Sequence, residues 1–121
     1  MNIVLIDERQ TQSDVWKISS KRQLEHLHTH VDVKIGDTLK VGILQGKRYL
    51  TRIVDMSETA IHVQPLHEET VPDKLAVTLI VALPRPKVLR RLIMDSVTLG
   101  VEKIILLHSY RVDKSYWQTP F

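Results

Sequence analysis

Hydrophobic positions along this chain change their period at residue 75. From Leu75 to Leu83 (LAVTLIVAL) they are almost continuous, as expected of a strand covered on both faces. A Pro-flanked basic turn (PRPK) follows. In the segment VLRRLIMDSVTLG, Leu89, Leu92, Ile93 and Ser96 then fall on one helical face, opposite Lys87, Arg91, Asp95 and Thr98. Arg91 and Asp95 have the spacing of an ion pair, and Gly100 is placed to close the helix. A second apolar run, Ile104 to Leu107, completes a β-α-β unit whose strands pair in parallel through a right-handed crossover. A parallel sheet is normally buried by helices supplied in further repeats, and one repeat is present here. The expectation is therefore a first domain followed by the opening of a second, within a longer protein.

Before residue 75 the period is shorter. Asn2 to Ile6 reads as a strand, and a polar loop leads to Trp16 and Ile18. Ser20 and Gln23 have capping-box spacing, and Leu24, Leu27 and Val31 share the face of the helix that would follow. After a turn at Gly36-Asp37, Leu39, Val41 and Ile43 alternate with polar neighbours. Turns at Gln45-Gly46-Lys47 and Ser57-Glu58-Thr59 lead into Tyr49, Thr51 and Ile53, and then into Ile61 and Val63. Short strands, tight turns and one helix predict a small β-barrel over residues 1–66. The polar stretch 67–74 (HEETVPDK) is the expected linker, and residues 75–121 the α/β opening of the second domain.

Composition narrows the function without naming it. The chain has 121 residues, 43% hydrophobic and 26% charged, values typical of a soluble globular protein. The net charge of +3 mildly favours a polyanionic partner. There is no cysteine, which excludes disulfides, thiolate metal ligands and a cysteine nucleophile. The N-terminal apolar run is too short for a signal peptide and no stretch has transmembrane length, so the expected address is cytoplasmic with no membrane partner.

Candidate chemistry is sparse. His26, His28 and His30 invite a metal reading, yet only His26 and His30 share a helix face and no Cys or HExxH partner completes a site; no metal is expected. Ser19, Ser20 and Asp37 show no hydrolase spacing. No Gly-rich loop accompanies Arg85, Lys87, Arg90 and Arg91, so P-loop and dinucleotide sites are disfavoured. The start of that cluster nevertheless lies after a strand, where α/β proteins place ligands. The tail SYRVDKSYWQ mixes Arg111 and Lys114 with Tyr110, Tyr116 and Trp117, a combination that serves single-stranded RNA or, equally, packing against another domain.

Three stretches carry a family resemblance: RQLEHLHTHVDVKIGDTLKVG (Arg22 to Gly42), LIVALPRPKVLRRLIMDSVTLGVEKI (Leu79 to Ile104) and SYRVDKSYWQ (Ser109 to Gln118). With them the chain resembles the N-terminal half of the bacterial 16S rRNA uridine-N3 methyltransferases of the RsmE type. That resemblance implies a PUA-like barrel that grips RNA, followed by a SPOUT-class domain whose C-terminal knot binds S-adenosylmethionine and which forms a homodimer. It implies 16S rRNA or the small ribosomal subunit as partner. Arg22, His26, Arg85, Lys87, Arg90, Arg111, Lys114 and Tyr116 become the expected RNA contacts. No residue here is expected to be catalytic or to hold the cofactor, because the family's knot-forming segments correspond to positions beyond Phe121. Thr98 stands where many members carry an acid. The alternative is a freestanding, non-catalytic PUA-like RNA-binding module; a third reading is a protein-interaction domain.

Overall fold

A computed structural model describes residues 3–120. The chain divides into two compact units, Met1–Val71 and Pro72–Phe121.

The first unit is a five-stranded mixed sheet: β1 (Ile3–Ile6), β2 (Trp16–Ile18), β3 (Thr38–Ile43), β4 (Arg48–Met56) and β5 (Ile61–Glu69), in the order β1-β3-β4-β5-β2. Asn2, expected in the first strand, lies outside the described residues. The alternation of Leu39, Val41, Ile53, Ile61 and Val63 sends these side chains to one face. There they form a core with Val4, Ile6, Trp16, Ile18, Leu24, Leu27 and Val33. Trp16 meets Tyr49 edge to face, with centroids 5.0 Å apart. At the first hairpin the left-handed residue is Gln45 (φ 59°), not the neighbouring Gly46, and Gly46 N–H donates to the Ile43 carbonyl at 2.9 Å.

Several sequence expectations are corrected here. The sheet is not closed into a barrel: β1 and β2 are its two edges. β2 is only three residues long and pairs with β5 alone, while the Gln23 side chain donates to the Leu5 carbonyl on β1 at 2.8 Å. That bond occupies an edge acceptor a further strand would need. Gln23 is thereby diverted from the expected capping box, and Ser20, although it is the N-cap of α1 (Lys21–His26), makes no side-chain cap bond. A capping box does form at Asp7 and Gln10, in the stretch read as loop.

After His26 the helix widens into a π-type turn, Leu27–Val31, ended by Asp32 in the left-handed region (φ 52°). The wider turn shifts the face, so that Val31 is exposed and Val33 enters the core in its place. Finally, β5 continues through Glu69, so His67, Glu68 and Glu69 are strand residues rather than linker. The reason is electrostatic as well as backbone pairing: Glu69 forms ion pairs with Arg48 (2.9 Å) and Lys40 (3.3 Å), and Lys47 donates to Glu68 (2.9 Å).

The second unit holds β6 (Leu75–Ala82), α2 (Pro86–Thr98) and β7 (Val101–Leu107), with β6 and β7 parallel. Pro86 opens α2, its fixed φ suiting a first helical position. Gly100, at φ 80°, turns the chain after α2, and its carbonyl accepts from Leu75 N–H at 2.8 Å. Leu89 and Ser96 are buried and Leu92 and Ile93 half-buried, the stripe read from the sequence. Arg91 and Asp95 do not form an ion pair among the described residues; both are exposed, where such a pair gains only about 0.3–0.5 kcal/mol. β6 is not covered on both faces: Leu79 and Val81 are half-buried, whereas Ile80 between them is 59% exposed.

Candidate nucleic-acid interface

Parallel pairing brings two of the expected contact clusters to one edge. β6 and β7 run in the same direction, and Leu83 N–H donates to the Leu107 carbonyl at 2.9 Å, so both strands finish side by side. The basic turn leaves one and the aromatic tail leaves the other. This is the carboxyl end of the sheet, where open α/β folds place their ligands.

At the turn, Arg85 is the N-cap of α2, and its carbonyl accepts from Val88 and Leu89 N–H at 2.9 Å each. Its side chain makes no capping bond, and the first turn carries no acidic residue. The positive end of the helix therefore adds to the charges of Arg85, Lys87 and Arg90, all exposed at the surface.

In the tail, Asp113 caps a short 3₁₀ turn, Lys114–Trp117, accepting from Ser115 N–H (2.9 Å) and Ser115 Oγ–H (2.7 Å). The Ser115 hydroxyl, followed by its backbone N–H, holds the Asp113 carboxyl below its usual range. Arg111 lies over the Tyr110 ring at 5.5 Å and donates from Nε to the phenol oxygen at 3.0 Å. Tyr110 is 89% exposed. Lys114 is exposed and Tyr116 half-buried. The turn is also tied back to the strand end by a bond between Trp117 and His108, a pairing the sequence reading did not anticipate.

In the first unit, Arg22 and His26 lie together on α1, lining one open depression with the outward side of β1, where Ile3 and Leu5 are exposed. The His26 and His30 rings stack at 5.3 Å with planes 20° apart. No group of three or more His, Cys, Asp or Glu side chains able to hold a metal occurs among the described residues. Nor is any helix among them long and apolar enough to cross a membrane.

Charge is divided unequally between the units. Residues 1–71 carry nine Lys and Arg against ten Asp and Glu; residues 72–121 carry eight against four. The entire positive excess belongs to the second unit. Four of the nine cations in the first are also committed locally: Arg9 to Asp7, Lys47 to Glu68, and Lys40 and Arg48 to Glu69. The hydrogen bond to Glu68 raises the Lys47 ammonium above its usual range, and that to Arg9 lowers the Asp7 carboxyl.

No family model and no curated protein matches this chain. Solved structures do match its fold. The ribosomal RNA small subunit methyltransferase E of Neisseria gonorrhoeae, solved with S-adenosylmethionine, superposes with a TM-score of 0.72 at 19% identity, over 97% of this chain and 51% of that one. A probable rRNA-methyltransferase of Porphyromonas gingivalis gives 0.75 at 15% identity, over 94% and 48%. A predicted RNA methyltransferase of Thermotoga maritima gives 0.66 at 20%, over 92% and 50%. The chain thus has the fold of rRNA methyltransferases over nearly its whole length, and spans about half the length of the solved structures it matches.

Proposed function

We propose that this chain is the N-terminal portion of an rRNA methyltransferase of the RsmE type, which transfers a methyl group from S-adenosylmethionine to N3 of a uridine in 16S rRNA. The observation that carries this reading is the fold likeness, which takes in both units rather than one common sheet. On this reading the first unit is an opened PUA-like module, and the second begins a SPOUT-class domain that forms a homodimer in the full-length protein. The partner is 16S rRNA within the small ribosomal subunit.

The residues of this chain do not by themselves fit the cofactor. Gly100 is the one glycine in residues 72–121, and it is engaged in turning α2 into β7, so no glycine-lined cradle is present for S-adenosylmethionine among the described residues. The cofactor site is assigned to segments of the full-length protein other than these, and this portion is assigned no chemical step. Its part is affinity and register. Arg85, Lys87, Arg90, Arg111 and Lys114 would engage phosphates, Tyr116 would offer a ring to an unpaired base, and Arg22 and His26 would add a second contact from the other unit. N3 of a paired uracil is occupied by its partner, so the target is a base outside a duplex or extruded from one.

Calorimetric titration of this chain and of a longer chain extended through the matching methyltransferase half tests the reading. Expected is S-adenosylmethionine binding by the longer chain only, with both binding 16S rRNA fragments. A longer chain that binds RNA but no cofactor would favour a non-catalytic RNA-binding module.

A further inference from the structure

A polar contact that requires a particular protonation state ties the tail back to His108, directly after β7. Trp117 Nε1 lies 2.8 Å from His108 Nδ1, with the two rings in an edge-on arrangement at 6.1 Å. An indole nitrogen can only donate. His108 Nδ1 must therefore accept, which fixes the neutral tautomer carrying its proton on Nε2. A second proton could enter only at Nδ1, where it would face the indole N–H with no lone pair left between them.

We propose that the His108–Trp117 pair is a proton-operated latch: closed while His108 is neutral, it holds the 3₁₀ turn Lys114–Trp117 against the end of β7, and protonation of His108 releases it. The sign follows from the bond itself. The closed state needs an unprotonated Nδ1, so the latch is present while His108 is neutral, toward higher pH, and is lost on acidification when Nδ1 takes up a proton. No carboxylate forms an ion pair with His108 among the described residues to offset that loss. The charged groups on the neighbouring segments are Glu102 and Lys103 on β7, near its start and away from His108, Arg85 at the turn beside the strand end, and Arg111, Asp113 and Lys114 on the tail. The Asp113 carboxylate is already used by Ser115. Both latch residues are exposed, so the proton has direct access from solvent.

The consequence is positional. Arg111 and Lys114 lie between the two latched residues, and their placement at the strand end depends on the closed loop. This holds whatever the tail binds, so the latch does not depend on the methyltransferase reading.

The test is nuclear magnetic resonance of the indole N–H signals between pH 8 and 5. The chain has two tryptophans. Trp117→Phe assigns the signal, and buried Trp16 reports that the first unit stays folded. The expected result is an upfield move of the Trp117 indole proton on acidification, tracking the His108 ring carbons, with Trp16 unmoved. In His108→Gln, whose amide oxygen accepts at any pH, the Trp117 transition should disappear. A Trp117 signal that stays flat while His108 titrates, or one that moves identically in His108→Gln, would overturn the latch.

Discussion

Single residues in this chain are set by small, directed interactions. Thr51 is fully buried and donates its hydroxyl to the Leu39 carbonyl at 3.0 Å, joining β4 to β3 outside the backbone ladder. Thr51→Val preserves shape and removes the donor, so a loss of about 1 kcal/mol is expected in urea unfolding, near the net worth of one hydrogen bond. Asp113 offers a sharper test. Its carboxyl is depressed by the Ser115 hydroxyl first and the Ser115 amide second. A group with a lowered folded pKa stabilises the turn above its unfolded pKa, and that contribution is lost as pH falls through the folded one. In Ser115→Ala the hydroxyl bond is gone while the backbone bond remains. The Asp113 carboxyl carbon, followed by nuclear magnetic resonance, should then titrate at higher pH than in the parent chain yet still below an ordinary aspartate. A titration unchanged by the substitution would mean that the hydroxyl is not the principal cause.

At the scale of elements, periodicity was a good guide wherever one face is buried. The α2 stripe of Leu89, Leu92, Ile93 and Ser96, the hairpins at Gln45-Gly46-Lys47 and Ser57-Glu58-Thr59, and the parallel pairing of the last two strands were all legible, because burial imposes a regular spacing. What was not legible depends on partners distant in sequence. Nothing local marks Trp16–Ile18 as a strand, which exists because β5 is there to pair with it. Nothing local gives Gln23 to the Leu5 carbonyl eighteen residues away. The π-type turn was hidden for the same reason: HLHTHV reads as an ordinary helix until Val33 claims the core position that Val31 was expected to fill. Of the expected RNA contacts, the basic turn and the tail were readable as clusters, but the His108–Trp117 bond that fixes the tail was not, since a lone histidine after a strand has no pattern. Patterning also overstated burial in the second unit. Leu83 and Leu89 are its only buried apolar residues among those described, while Ile80, Ile105 and Leu107 leave a sheet face exposed, and Met94 and Val97 leave a flank of α2 exposed. Exposed apolar surface of that kind drives association. The chain alone should self-associate in light scattering, and Ile80→Lys combined with Ile105→Lys should reduce that association while leaving the circular dichroism of the fold unchanged.

For the whole molecule, the division of charge predicts which unit dominates an encounter with RNA. A module expected to grip a polyanion would ordinarily be the basic one, yet residues 1–71 are slightly acidic in sum and residues 72–121 supply all of the excess. Phosphate binding releases condensed counterions, and each cation engaged adds about 0.7 to the slope of log affinity against log salt for a single strand. If Arg85, Lys87, Arg111 and Lys114 all engage, replacing the four with alanine should flatten that slope by up to about 3. Removing Lys17, Lys21, Arg22 and Lys34 from the first unit should flatten it by less, because the acids of that unit oppose them at long range. Filter binding to an unstructured 16S rRNA fragment at four salt concentrations decides between the units. Equal slopes for the two quadruple variants would show that local geometry, rather than the net field of each unit, determines where RNA is held. A greater loss from the first unit would shift the principal grip to α1 and the depression beside β1, with Arg22 and His26 as its centre.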